Sequence, residues 1–127
     1  MKLASIDVGL KRIGVAICLT SNIVTPQTAI LRKNRDQAAS DVNAFLKEWE
    51  IEKLIVGFPS ASVDMQNRIK HFVGLLNLSI SYEFCEENMS SIEAEEMIKG
   101  EIKYKRDGRV DSLAAKIILE RYLTKKS

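Results

Sequence analysis

The sequence predicts an α/β fold. A mixed five-stranded sheet begins with a three-strand antiparallel meander and carries helices on both faces. Three observations lead there. Three short apolar segments come before any helical period. After them, stripes of helical spacing alternate with short apolar runs. One of those runs, Lys53 to Phe58, is apolar almost without interruption, as in a strand covered by helices on both sides.

Each element follows from its own pattern. Leu3 to Val8 is short and apolar and is followed by Gly9, which reads as a strand ending at a turn. Ile13 to Leu19 is a second strand, too short for a helix and rich in β-branched residues. Gly9, Leu10, Lys11 and Arg12 between them make a connection of hairpin size. Ile23 to Leu31 is a third strand. Its Pro26 cannot donate to a ladder, so the strand belongs at an edge or a bulge. The period then changes. Ala38, Val42, Phe45, Leu46 and Trp49 lie on one face of a helix, with Asn34 and Asp36 as candidate caps. After the Lys53 to Phe58 strand, Ile69, Phe72, Val73 and Leu76 form a second helical stripe. Ser79 to Cys85 is a strand in which Ile80, Tyr82 and Phe84 alternate with polar residues. Ser90 and Glu93 have capping-box spacing, and Ala94, Met97 and Ile98 continue that helix. Lys103 to Arg109 reads as an exposed loop. Val110, Leu113, Ala114, Ile117 and Tyr122 mark the last helix.

Size and charge bound the function. A chain of 127 residues is one domain, residues 1–127, at roughly 100–200 residues per domain. Lys plus Arg is 19 and Asp plus Glu is 17, a near balance that excludes a disordered charged tail. The two cysteines, Cys18 and Cys85, stand far apart in apolar runs, and His71 is the single histidine. That excludes a zinc cluster of ordinary spacing and fits two buried thiols in a reducing compartment. An acid at position 7 comes too early for a signal-peptide core, and no apolar run approaches the about 20 residues that span a bilayer. The expectation is a cytoplasmic protein with no membrane partner.

The chemistry falls to carboxylates. His71 sits beside Phe72 in a helical stripe and reads as structural. No phosphate-binding glycine loop is present. Asp7 closes the first strand, Glu86 and Glu87 follow the strand ending at Cys85, and Asp111 opens the last helix. Each could serve a turn, a solvated run or a helix dipole. Together they suggest more, because ligands of α/β sheets bind at the carboxyl ends of strands. Carboxylates that converge there need a cation, and hard oxygen ligands suit Mg²⁺ or Mn²⁺ acting on phosphodiesters. Charge distribution points the same way. Glu83 to Glu96 carries six acids and no base, whereas Lys99 to Lys126 is dominated by Lys and Arg. Lys11 and Arg12 add a basic hairpin tip near Asp7.

Asp7-Val-Gly9-Leu-Lys11-Arg12-Ile-Gly14-Val-Ala16 resembles the opening motif of the YqgF-like (RuvX) family, Holliday-junction resolvase-like proteins also described as pre-16S rRNA nucleases. Val56-Gly57-Phe58-Pro59 resembles that family's Val-Gly-Leu-Pro. Val110-Asp111-Ser112-Leu113-Ala114-Ala115 resembles its closing Val-Asp-x-x-Ala-Ala, and the likeness runs from end to end. The resemblance implies an RNase H-like fold and a metal-dependent nuclease. Its catalytic residues would be Asp7, Glu87 and Asp111. Metal would be held by Asp7, Glu86, Glu87 and Asp111, with Mg²⁺ or Mn²⁺ as the cofactor. The partners would be structured nucleic acid, pre-rRNA or branched DNA, and a ribosomal particle, with Lys11, Arg12, Lys105, Arg106 and Arg109 on phosphates.

The family's Asp-Glu-Arg-x-Thr-Thr reads here Glu86-Glu87-Asn88-Met89-Ser90-Ser91, and the loop after Pro59 is short. Glu86 lengthens an arm by one methylene, and Asn88 removes a cation that could grip phosphate. Three functions stay in view. One is a nuclease for the 5′ end of pre-16S rRNA. Another is a resolvase-like DNA endonuclease. The third, motivated by Asn88 and the short loop, is a ribosome-associated RNA-binding factor with weakened catalysis. An actin-type ATPase also opens with Asp-x-Gly, but it needs two such domains and 127 residues hold one.

Overall fold

The computed structural model describes residues 1–20, 22–60, 62–86 and 112–126. The strands are β1 (Leu3–Val8), β2 (Arg12–Cys18), β3 (Thr25–Leu31), β4 (Lys53–Phe58) and β5 (Ser81–Glu86). The helices are α1 (Arg35–Glu48), α2 (Val63–Leu76) and α3 (Leu113–Lys126). The strands form one sheet in the order β3-β2-β1-β4-β5. β1 runs antiparallel to β2, and β2 to β3, which is the meander the sequence predicts. β4 lies parallel to β1 on one side and to β5 on the other.

Alternation along the strands sorts the side chains into two faces. Ala4, Ile6, Val8, Ile13, Val15, Leu54 and Val56 join Val42 and Leu46 of α1 and Ile69, Phe72, Val73 and Leu76 of α2 in one core. Leu3, Ala16, Cys18, Ile55 and Cys85 join Ala115, Ile118, Leu119 and Tyr122 of α3 in the other. The buried residues of α2 are the four of the predicted stripe. β4 is buried through its interior because both cores meet on it.

Caps set the helix limits. Asn34 Oδ1 accepts from the Gln37 amide at 2.8 Å, and Gln37 Oε1 accepts from the Asn34 amide at 3.3 Å, a reciprocal box that starts α1. Ser62 accepts from the Met65 amide and starts α2. Asn77, in the left-handed region at φ 49°, ends it. The thiols of Cys18 and Cys85 are free and buried, as expected.

Several boundaries differ from the sequence reading. β2 begins at Arg12, because the Gly9 amide donates to the Arg12 carbonyl at 3.0 Å and leaves only Leu10 and Lys11 in the turn. β3 begins at Thr25 rather than Ile23. Asn22 has φ 60° and the Ile23 amide donates to Thr20, so that stretch is a turn. Pro26 sits on an edge strand, one of the two places expected for it, and pairs in regular register with Ala16; the β2–β3 register shifts further along, between Ile13 and Val15. β5 runs from Ser81 to Glu86. The stripe of α3 is wider than predicted and includes Ala115, Ile118 and Leu119, because this helix crosses β2, β1 and β4 on its face. The helix expected after Ser90 and the loop expected over Lys103 to Arg109 lie outside the described residues.

Candidate active site

Asp7 is the next-to-last residue of β1 and points to the face that carries α3, in step with Leu3 and Ser5. It is half-buried. Its partner across β2 is Gly14. On the other side, one step beyond the Ile6–Val56 pair, stands Gly57 of β4, and Gly57 pairs with Cys85 of β5. Asp7 is therefore flanked by two glycines.

Two serines seat the start of α3 next to this row. Ser5 Oγ donates to the Ala115 carbonyl at 2.6 Å. Ser112 Oγ accepts from the Val15 amide at 3.0 Å, where the β2–β3 register shifts. Among the described residues, Ser5 and Ser112 are the buried polar side chains, both fully covered. Buried polar groups must be paired, and these two are paired across the sheet–helix boundary. Sequence reasoning missed both. A serine in an apolar run gives no signal until its partner 97 or 110 residues away is known.

The turn after β1 has its own fastening. A Cβ on Gly9 would lie 2.5 Å from the Arg12 carbonyl oxygen, so only glycine closes this turn. The Gly9 carbonyl accepts from Arg32 Nη1 at 2.9 Å, and the Arg32 guanidinium rests 5.5 Å from the Phe72 ring centroid. Arg32 thus ties the Asp7 turn to β3 and α2. Lys11 and Arg12, both exposed, project from this tip. Alternation places Arg12 on the face of Ala16 and Cys18, which is the face of Asp7.

Glu86 ends β5, where it accepts from Ser60 Oγ at 3.2 Å. It also lines a hollow of about 460 Å³ with Ile117, Glu120, Arg121, Thr124 and Lys125 of α3. Two strand spacings, each about 4.8 Å, separate β5 from β1. Burial pushes the Cys85 thiol above its ordinary value, while Lys125 and Arg121 pull it the other way. At the opposite end of the sheet the Lys53 ammonium is held above its ordinary value, first by a side-chain hydrogen bond with Tyr122 and then by Glu83. His71 is exposed, with Arg35 Nη1 3.2 Å from its Nε2, and stands away from the acids.

Asp7, Glu86, Lys11 and Arg12 are thus placed at the carboxyl ends of β1 and β5 and on the adjoining hairpin. Glu87, Asp111, Lys105, Arg106 and Arg109 lie outside the described residues. Among the described residues no three His, Cys, Asp or Glu side chains gather as a metal site. The donor type that is placed does suit a divalent cation. Asp7 offers hard oxygen at the carboxyl end of β1.

Comparison with known proteins agrees with this architecture. The family model "RuvX: Holliday junction resolvase" matches residues 1–125. A "Putative pre-16S rRNA nuclease" of Sulfurovum sp. (strain NBC37-1) is 62% identical over 127 residues, covering 98% of this chain and 99% of that protein. Proteins of the same name from Sulfurimonas denitrificans and Helicobacter pylori (strain Shi470) are 50% and 47% identical, covering 99% and 91% of this chain and 99% and 90% of their own. Among solved structures, the fowlpox virus Holliday junction resolvase superposes with a TM-score of 0.61 at 17% identity, covering 99% of each chain. Thermus thermophilus RuvC superposes with a TM-score of 0.53 at 11% identity, covering 99% of this chain and 96% of that one. The fold is RNase H-like, as the opening and closing motifs implied. With the matched model spanning nearly every residue and relatives of half or more identity along the whole length, the chain belongs to the RuvX family.

Proposed function

We propose that this protein is a metal-dependent nuclease that processes the 5′ end of pre-16S rRNA in the cytoplasm. The observation that carries the reading is Asp7, held at the carboxyl end of β1 between two glycines and beside the seated start of α3, in a RuvX chain. The relatives' name supplies the substrate. Asp7, Glu87 and Asp111 are the ligands this reading assigns to Mg²⁺ or Mn²⁺, with Glu86 beside them. A bound divalent cation would activate the attacking water and neutralise the leaving oxygen. The chain's own residues do the rest. Arg32 and the Gly9 turn fix the direction of the Asp7 strand end. Ser5 and Ser112 fix the distance of α3 from it. Lys11 and Arg12 hold substrate phosphates, together with Lys105, Arg106 and Arg109. Ser60 orients Glu86.

A four-way DNA junction is the second reading, carried by the family's description. The test is a side-by-side cleavage assay on a labelled 5′-leader RNA of pre-16S rRNA and a four-way DNA junction, each with Mg²⁺, Mn²⁺ and chelator. Faster metal-dependent cutting of the RNA supports the proposal. Faster cutting of the junction transfers it to the second reading. Binding of the RNA with no cutting of either would identify an RNA-binding factor instead and make Asn88→Arg the first reversion to examine.

A further inference from the structure

Three aromatic rings run together along the β5 edge of the sheet, and the chemistry at Asp7 does not use them. Phe58 and Phe84 have centroids 4.6 Å apart, tilted by 44°. Tyr82 meets Phe84 edge-on at 5.8 Å. Parallel pairing produces the run. Tyr82 stands beside Leu54 and Phe84 beside Val56, on the face that carries α1 and α2. Although Leu54 and Val56 are fully buried, Tyr82 is 46% exposed and Phe84 37%. Alternation at a sheet edge ordinarily directs such rings into a core, and clustered rings left in water mark an interaction surface.

What would cover them is indicated by two neighbours. Lys70 of α2 is exposed, and its Nζ lies 5.6 Å from the Phe58 ring centroid, so a cation borders the rings. Phe58 is also two residues from Ser60, whose hydroxyl donates to Glu86 at the carboxyl end of β5. The rings are therefore continuous with the carboxyl end of β5, where Glu86 lies. A ligand that offers flat apolar rings and negative charge at short, regular intervals is a nucleic-acid strand with unpaired bases. Stacking on aromatic side chains beside a basic residue is how such strands are held without sequence preference.

We propose that Phe58, Phe84 and Tyr82 form a stacking platform for unpaired bases flanking the cleavage position, with Lys70 on a phosphate. The role in cleavage rests on the nuclease reading, but the binding does not. The experiment is fluorescence anisotropy in chelator, so that nothing is cut. It uses a short labelled oligonucleotide of mixed sequence in single-stranded RNA, single-stranded DNA and perfect-duplex forms. Wild type is compared with Tyr82→Ser, Tyr82→Phe and Lys70→Gln. Tyr82→Ser is expected to weaken single-strand binding by about 5- to 150-fold, the range that base–aromatic stacking gives. Tyr82→Phe should keep wild-type affinity, and duplex binding should stay within about twofold. Lys70→Gln should lower the affinity for both single strands. Unchanged single-strand affinity in folded Tyr82→Ser would overturn the proposal, as would an equal loss on duplex. So would sedimentation showing that Tyr82→Ser splits a dimer, which would make the rings a self-association surface. A platform that binds single strands while wild type cuts neither RNA nor junction in Mg²⁺ or Mn²⁺ would sink the nuclease assignment and leave the platform standing.

Discussion

Ser112 carries more of the site than its size suggests. Its Oγ is the partner of the buried Val15 amide. Ser112→Ala would leave that amide unpaired, at a cost of about 1–3 kcal/mol. Ser5→Ala is expected to cost less, because the Ala115 carbonyl it serves lies inside α3 and has the helical ladder as well. Urea denaturation of the two variants checks the order. If Ser5→Ala is the more destabilising, the seating of α3 has been misjudged. Cys85 gives a second expectation at this scale. Burial raises its pKa, so the thiolate is scarce near pH 8 and native Cys85 should resist alkylation until the protein unfolds. The sign for stability follows. The contribution is complete below the ordinary thiol range and is lost as pH rises through the raised value. Mass spectrometry after native and denatured labelling reads the alkylation directly. Asp7 was legible in the sequence because a strand ending in an acid before glycine is a local pattern. Ser5 and Ser112 were not, because their meaning lies in a contact that only folding creates.

The start of α1 was largely legible: Asn34 was one of two candidate caps, and Ala38, Val42 and Leu46 of the predicted stripe are buried, while Trp49 caps the helix instead of continuing it. Asn34 and Gln37 pair reciprocally across a spacing readable from the chain. Asn34→Ala is expected to lower stability by about 1 kcal/mol, measured by denaturant unfolding with an unchanged slope. No change would mean that water replaces the cap without loss. β5 shows the limit of element-level reading. Its alternation was visible, but alternation states only that two faces differ, and coverage depends on where the helices pack. Here the buried residue of β5 is Cys85, under α3, while the larger Tyr82 and Phe84 face outward. α3 shows the reverse. Its stripe was read as narrow, yet the helix crosses three strands and buries residues on both sides of that stripe.

Net charge for the whole molecule is only +2, so affinity for a polyanion must come from local clusters. Lys11 and Arg12 at the hairpin tip form one, with Arg12 on the face of Asp7. Replacing both by Gln is expected to reduce the salt slope of RNA binding by roughly two ions while leaving the fold intact. Anisotropy titrations across a salt series measure this, and an unchanged slope would remove the hairpin from the interface. No described helix is long and apolar enough to cross a membrane. The order of the sheet could be anticipated only in part. A meander and a strand covered on both faces were readable, but the placing of β4 beside β1 is a long-range pairing that local patterns do not encode. That pairing brings the carboxyl ends of β1 and β5, with Asp7 and Glu86, to one end of the sheet. The most direct measurement is the rate of Mn²⁺-dependent cleavage of the pre-16S 5′-leader RNA by wild type and by Asp7→Asn. Wild type should cut, chelator should abolish cutting, and Asp7→Asn should lose at least about 100-fold in rate. Equal rates for the two proteins would contradict it.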